Sequence, residues 1–176
     1  MCGIAGILSW FITPSTEAVR HMCDTMTHRG PDASGIVHLC NIVLGHRRLS
    51  IIDLSKEANQ PMCSHDKRYY FVYNGEIYNF KQLRGMLEDE GCHFRTNSDT
   101  EVVLYAYVVW HEECLNKFNG MFAFAIWDEH RKELFMARDR FGKKPLYYYI
   151  DPQKGIVFAS ELSALMLDKS IIESLL

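Results

Sequence analysis

Residues 1–8 read MCGIAGIL: Met1, Cys2, then Gly3, Ile4, Ala5, Gly6, Ile7 and Leu8 without a polar break. Chain starts are ordinarily frayed and polar. This one reads as an anchored, buried strand over Gly3–Trp10. Cys2 then has two readings. It is a small hydrophobe leading a core strand, or, once Met1 is removed, a residue carrying a thiol and a free α-amine on one carbon. An α-amine of reference pKa about 7.7–8.0 is partly neutral near pH 7 and can accept a proton. A thiol near 8.5 needs modest help to become a nucleophile. Nucleophile and base would share one residue.

With 176 residues, 48% of them apolar and 23% charged, the chain suits one folded domain with a sizeable core. A net charge of -3 gives no basic field to attract nucleic acid or an anionic membrane. Cys2, Cys23, Cys40, Cys63, Cys92 and Cys114 form no C-x-x-C pair, which removes the usual zinc and thioredoxin spacings. A core of this size needs no disulfide staples, so reduced thiols are expected. The histidines form no H-x-H or H-x-x-x-H pair, and no metal site is expected. No run approaches the ~20 apolar residues of a membrane span, and the start lacks the basic and long apolar segments of a signal peptide. The expected location is the cytoplasm.

Outward from the first strand, Ser15 caps a helix on which Val19, Met22, Cys23 and Met26 recur at helical spacing. It ends before HRGPDASG (28–35), a Gly/Pro-bounded loop that could close over a site. GIVHLCNIVLGHRRLSIID (35–53) reads as two strands about a turn near Asn41, and RYYFVYNGEIY (68–78) as a strand running into an Asn-Gly turn signal. NFKQLRGMLEDEG (79–91) is a helix stopped by Gly91. SDTEVVLYAYVVWHEE (98–113) is another, capped by Ser98 or Asp99 and apolar nearly all round, which places it between layers. The strands GMFAFAIWD, ELFMARDR, PLYYYI and IVFAS follow, and SELSALML begins a last helix. MFAFAIW lacks polar alternation, as a strand buried on both faces would. Two packed antiparallel sheets with helices outside are expected, an α+β layered domain.

Three further segments can carry chemistry. Asn74 and Gly75, in YNGEIYN, offer a side-chain amide and an unobstructed backbone N–H, the two donors of an oxyanion hole; the competing reading is a type I′ hairpin turn. Arg47 and Arg48 are adjacent on an apolar strand, so one faces inward and calls for a carboxylate, unless both are surface charges. Asp99 is an N-cap or a receptor for a ligand ammonium. Glu76 is a second carboxylate beside the Asn-Gly pair.

MCGI, HRGPDASG, GHRRLSIIDLS, YNGEIYNF, SDTEVVL, GMFAFAIWD and RDRFGKKPLYYY, in this order, resemble the glutaminase domain of asparagine synthetases. That is a class II glutamine amidotransferase domain of the N-terminal-nucleophile hydrolase fold, and the resemblance runs from Cys2 to about Leu165. It implies a four-layer αββα sandwich and a single glutaminase domain over 1–176. It further implies that Cys2 attacks the carboxamide of L-glutamine with its own amine as proton shuttle. Asn74 and Gly75 would hold the oxyanion, Arg48 would clamp the substrate α-carboxylate, and Leu49, Ser50, Ile51 and Ile52 would line the pocket. Asp99 and Glu76 would receive the α-ammonium and side-chain amide. The other five cysteines match no motif and are expected to pack. No cofactor is implied for this domain; ATP and magnesium belong to the synthetase domain or subunit that such glutaminases serve. That partner's S-G-G-x-D-S loop is not in this sequence, which ends at KSIIESLL, about where a glutaminase domain should finish. Aspartate is the family's default ammonia acceptor, with sugars and peptides in relatives, and a homodimer of the full-length protein is allowed. A glutamine-binding scaffold without turnover is the alternative, against which the reactive Cys2 argues.

Overall fold

The computed structural model describes residues 1–167. Its elements are β1 (Gly3–Ser9), α1 (Thr16–Thr25), β2 (Ala33–Leu39), β3 (Ile42–Arg48), β4 (Met62–Cys63), β5 (Tyr69–Ile77), α2 (Phe80–Asp89), α3 (Asp99–Trp110), β6 (Gly120–Asp128), β7 (Glu133–Arg138), β8 (Tyr147–Asp151), β9 (Gly155–Ala159) and α4 (Leu162–Leu165). The first sheet has the order β2-β3-β1-β9-β8 and the second β4-β5-β6-β7, with every pairing antiparallel. The residues about 168–176 of the expected domain lie outside the described part.

Side-chain alternation sorts three apolar clusters into the spaces between four layers. Ile4, Leu8, Ile42 and Leu44 of the first sheet meet Val72, Ala123, Ala125 and Trp127 of the second. The opposite face of the first sheet, with Ala5, Val43 and Val157, packs on Val19, Met22 and Cys23 of α1 and on Ala164 and Leu165 of α4. The outer face of the second sheet, with Phe71, Tyr73 and Phe124, takes Leu83 and Leu87 of α2 and Val102, Val103 and Ala106 of α3. The αββα sandwich is therefore observed, with β6 buried on both faces.

Local signals act as expected in α1, where Ser15 Oγ accepts the Ala18 N–H at 3.2 Å, and at Gly91, whose φ of +88° ends α2. At α3 the cap is Ser98, and Asp99 is the first helical residue. The buried Glu101 carboxylate reaches back to the Thr96 N–H at 2.7 Å and to the Arg95 N–H, fixing the helix start. α3 lies in an outer layer, not between the sheets; β5 and α2 cover its first two turns, and Tyr107–Trp110 are half-exposed. α4 is a single turn.

Three expectations are corrected. Asn74 and Gly75 do not turn the chain: β5 runs straight through them, with Asn74 opposite Ala123 and Gly75 opposite Phe122. The glycine serves close packing instead, since a Cβ there would stand 2.6 Å from the Tyr73 ring and 2.7 Å from the Met121 carbonyl oxygen. The strand expected to reach Asp53 stops at Arg48, because that side chain pulls the following loop back over itself. Arg48 Nη1 donates to Ser55 O at 2.7 Å and to Asn59 Oδ1 at 2.6 Å, and Nη2 to Asp53 O. Finally, Cys40 does not pack; it is exposed in the β2–β3 turn.

Candidate active site

Antiparallel pairing carries Cys2 to the open end of the layer between the sheets. Gly3 stands opposite Arg47, so Cys2 lies beside Arg48, and alternation through Ile4 turns its side chain toward the second sheet. β5 presents Asn74 from the facing side by the same alternation through Val72. The cleft they share has a volume of about 310 Å³ and includes Leu49, Tyr73, Gly75, Glu76, Asp99 and Lys144 in its wall. That is the small end of ligand pockets, the scale of a free amino acid.

Cys2 is half-buried. Its Sγ accepts the Leu49 N–H at 3.4 Å and lies 3.7 Å from Leu49 O. Burial pushes the thiol up, against the pull of the Leu49 N–H, the chain's α-ammonium, Arg48 and Lys144. Its carbonyl is gripped by Arg29 Nε at 3.0 Å, and Arg29 is held in turn by Glu161 at 3.1 Å. HRGPD is thus no lid: its arginine braces Cys2 from behind, and its Asp32 Oδ2 accepts the Ser50 N–H at 2.7 Å. That bond turns Ser50 away, and Ser50 is not in the cleft wall, whereas Leu49, Ile51 and Ile52 are.

Asn74 is buried, and its Nδ2 has no hydrogen-bond partner. Most buried amides are paired, so an orphan donor beside a thiol points to an absent acceptor. Asp99 lies across the cleft; its Oδ2 accepts the Tyr73 hydroxyl at 2.8 Å and the Ile77 N–H at 3.1 Å. Burial raises its carboxyl, opposed by those same donors. Arg48 is the inward arginine, and Arg47 turns to the α1 side, donating to Gly30 O at 3.1 Å. Among the described residues Arg48 joins no ion pair; its partners are the carbonyl and amide oxygens named above, with Nε and one Nη2 hydrogen uncommitted. The cleft therefore offers a guanidinium and carboxylates at separate points, the pattern a zwitterion needs. Among the described residues no group of three His, Cys, Asp or Glu side chains is arranged to hold a metal.

A family model described as "Glutamine amidotransferase domain" matches residues 1–175. The chain belongs to the glutamine amidotransferase family. Asparagine synthetase [glutamine-hydrolyzing] 1 of Bacillus subtilis (strain 168) is 43% identical over 178 residues, covering 98% of this chain and 28% of the relative. Asparagine synthetase [glutamine-hydrolyzing] 3 of the same strain is 40% identical over 170 residues, covering 94% and 27%. The chain thus spans about a quarter of the length of these relatives. The glutamine phosphoribosylpyrophosphate amidotransferase from B. subtilis, solved with ADP and GMP, superposes with a TM-score of 0.79 at 24% identity over 94% of this chain and 43% of its own. It shares the amidotransferase domain's fold.

In this amidotransferase domain, sequence reasoning assigned no role to Arg29, Tyr73, Asp139 or Lys144. Arg29 and Lys144 sit in motifs that carried the resemblance, HRGPD and RDRFGKK, and a cation next to a glycine or a proline was the available signal.

Proposed function

We propose that this domain hydrolyses L-glutamine to glutamate and ammonia through a thioester on Cys2. The observation that carries the reading is the buried, unpartnered Asn74 Nδ2 in the same cleft as the Cys2 thiol. With Met1 removed, the freed α-amine takes the thiol proton and Sγ bonds to the carboxamide carbon. The oxyanion is held by Asn74 Nδ2 and the Gly75 N–H. The C–N bond then breaks, the nitrogen leaves as ammonia with the proton returned by the amine, and water cleaves the thioester to glutamate and free thiol. Arg48 binds the α-carboxylate through its uncommitted N–H groups, and Asp99 and Glu76 receive the α-ammonium. Backbone groups of Leu49, Ile51 and Ile52 line the same seat. The ammonia passes to an ATP-dependent synthetase domain or subunit that converts aspartate to asparagine; the relatives are named as glutamine-hydrolyzing asparagine synthetases.

The test is a glutamate-release assay on protein shown by intact mass to have lost Met1. Cys2→Ala is expected to lower the rate at least 10³-fold. An unchanged rate in that variant removes Cys2 from the reaction and the proposal with it.

A further inference from the structure

The segment after β7 is a braced spur. Asp139 Oδ1 accepts the N–H groups of Phe141 at 3.1 Å and Lys143 at 2.9 Å. Its Oδ2 accepts those of Phe122 at 3.2 Å and Lys144 at 3.0 Å. Arg138 closes the other side, donating from Nε to Lys144 O at 2.7 Å and from Nη2 to Gly142 O at 2.6 Å. Gly142, at φ +63°, supplies the left-handed turn between them. Both backbone polar groups of Lys144 are therefore fixed, and its side chain is committed to the cleft with 5% exposure. Among the described residues its ammonium enters no ion pair. That ammonium opens onto the cleft with no carboxylate in ion-pair contact, and its partial desolvation there is costly. A spur this well braced holds it for a partner other than a protein carboxylate.

We propose that Lys144 is the electrostatic partner of the Cys2 thiolate, a positioning residue that sets the ionised fraction of the nucleophile at neutral pH. The proposal rests on Cys2 being the nucleophile. The charges facing Sγ come from every wall of the cleft. Arg48 enters from β3, Glu76 from β5 beside the neutral Tyr73 hydroxyl, and Asp99 from α3; Arg29 stands behind Cys2. Arg48 shares three N–H groups with its own loop, and Arg29 is paired with Glu161. Among the described residues Lys144 is left as a cation without an ion pair, on which the Glu76 and Asp139 carboxylates act only at longer range. Burial lowers its ammonium, with the Cys2 thiolate working in the opposite sense.

The experiment follows alkylation of Cys2 by iodoacetamide from pH 5 to 10, read on the N-terminal peptide by mass spectrometry. The proteins are the processed wild type and Lys144→Met, Lys144→Gln and Lys144→Arg. The two neutral variants are expected to shift the half-point of the rate profile upward by about one pH unit, lowering the rate at pH 7 about tenfold. Lys144→Arg should keep the wild-type profile within about threefold. An unmoved half-point in either folded neutral variant overturns the proposal, and so does an equal shift in Lys144→Arg, which would mark packing as the cause. A second measurement needs no lysine variant: the Lys144 ammonium, titrated by NMR, should lose its proton at lower pH when Cys2 is replaced by Ala, and an unchanged titration overturns the proposal equally. Both measurements are made without glutamine. Turnover retained in Cys2→Ala would defeat the functional reading and leave the thiol titration to be judged by itself.

Discussion

Asn74 shows how a single side chain divides between stability and chemistry. Its Nδ2 forgoes a hydrogen bond in the free protein, so truncating it removes no bond of that donor. Asn74→Ala is therefore expected to stay within about 1 kcal/mol of the wild type in urea unfolding, the residue being the small cavity it leaves. The same change should lower kcat for glutamate release about 10²–10³-fold with little change in KM if, as proposed, the donor is used only by the oxyanion. A matched fall in stability and activity would make Asn74 a structural residue. Cys2 and Asn74, which the structure brings into one cleft with Asp99, stood out because their chemical type is unusual for a chain start and a strand. Asp99 looked like an ordinary helix start and was singled out by the resemblance. Lys144 was not. A lysine on a surface loop and one driven into a cleft have the same local sequence, and only the grip of Arg138 and Asp139 on the backbone separates them.

At the scale of elements, β5 decides the geometry. Asn-Gly ordinarily marks a hairpin because both residues tolerate positive φ. Here the ladder to β6 continues through both, since Tyr73 before the pair and Ile77 after it pack outward against α3 and α2 while Asn74 turns inward. The pattern that revealed the strand also hid its length, for a two-residue turn signal outweighs period-2 alternation when no partner strand is known. Gly75→Ala is expected to lower stability by about 1–3 kcal/mol, because its Cβ would press the Tyr73 ring and the Met121 carbonyl. The displaced Tyr73 would loosen its hydroxyl from Asp99, so KM for glutamine should rise as well; a stable variant of unchanged KM would refute the packing account. The loop after β3 was hidden for a different reason: Arg48 bonds to residues five to eleven positions ahead, contacts that no periodicity records.

Across the whole molecule, His46 ties the two sheets together. It is fully buried between them; its Nε2 donates to Tyr73 O at 3.1 Å, and burial with Nδ1 unpartnered favours the neutral imidazole. Burial lowers it to about 3, the Tyr73 bond and Arg48 being smaller influences. The unfolded chain binds the proton below about pH 6.5 while the folded one does not, so stability must fall as pH drops through that value and keep falling toward 3. The slope from this group is about 1.4 kcal/mol per pH unit. His46→Gln should flatten the fall between pH 6 and 4 by that amount, measured as urea unfolding at each pH; parallel curves would show that other groups carry the acid sensitivity. The layer order was legible from the run of strands and helices, and MFAFAIW announced its burial on both faces. Which strands neighbour one another was not, because β1 pairs with β9 across some 150 residues.

The position of β1, flanked by β3 and β9 and beginning at the cleft, has a practical corollary. Met1 itself contributes to the cleft wall. Any purification handle or fusion partner spliced ahead of Cys2 would thread out through the opening that a free amino acid uses to come in. Such a leader would act as a tethered plug as well as an acyl block on the terminal amine, and only a cleavage that leaves cysteine foremost would lift both.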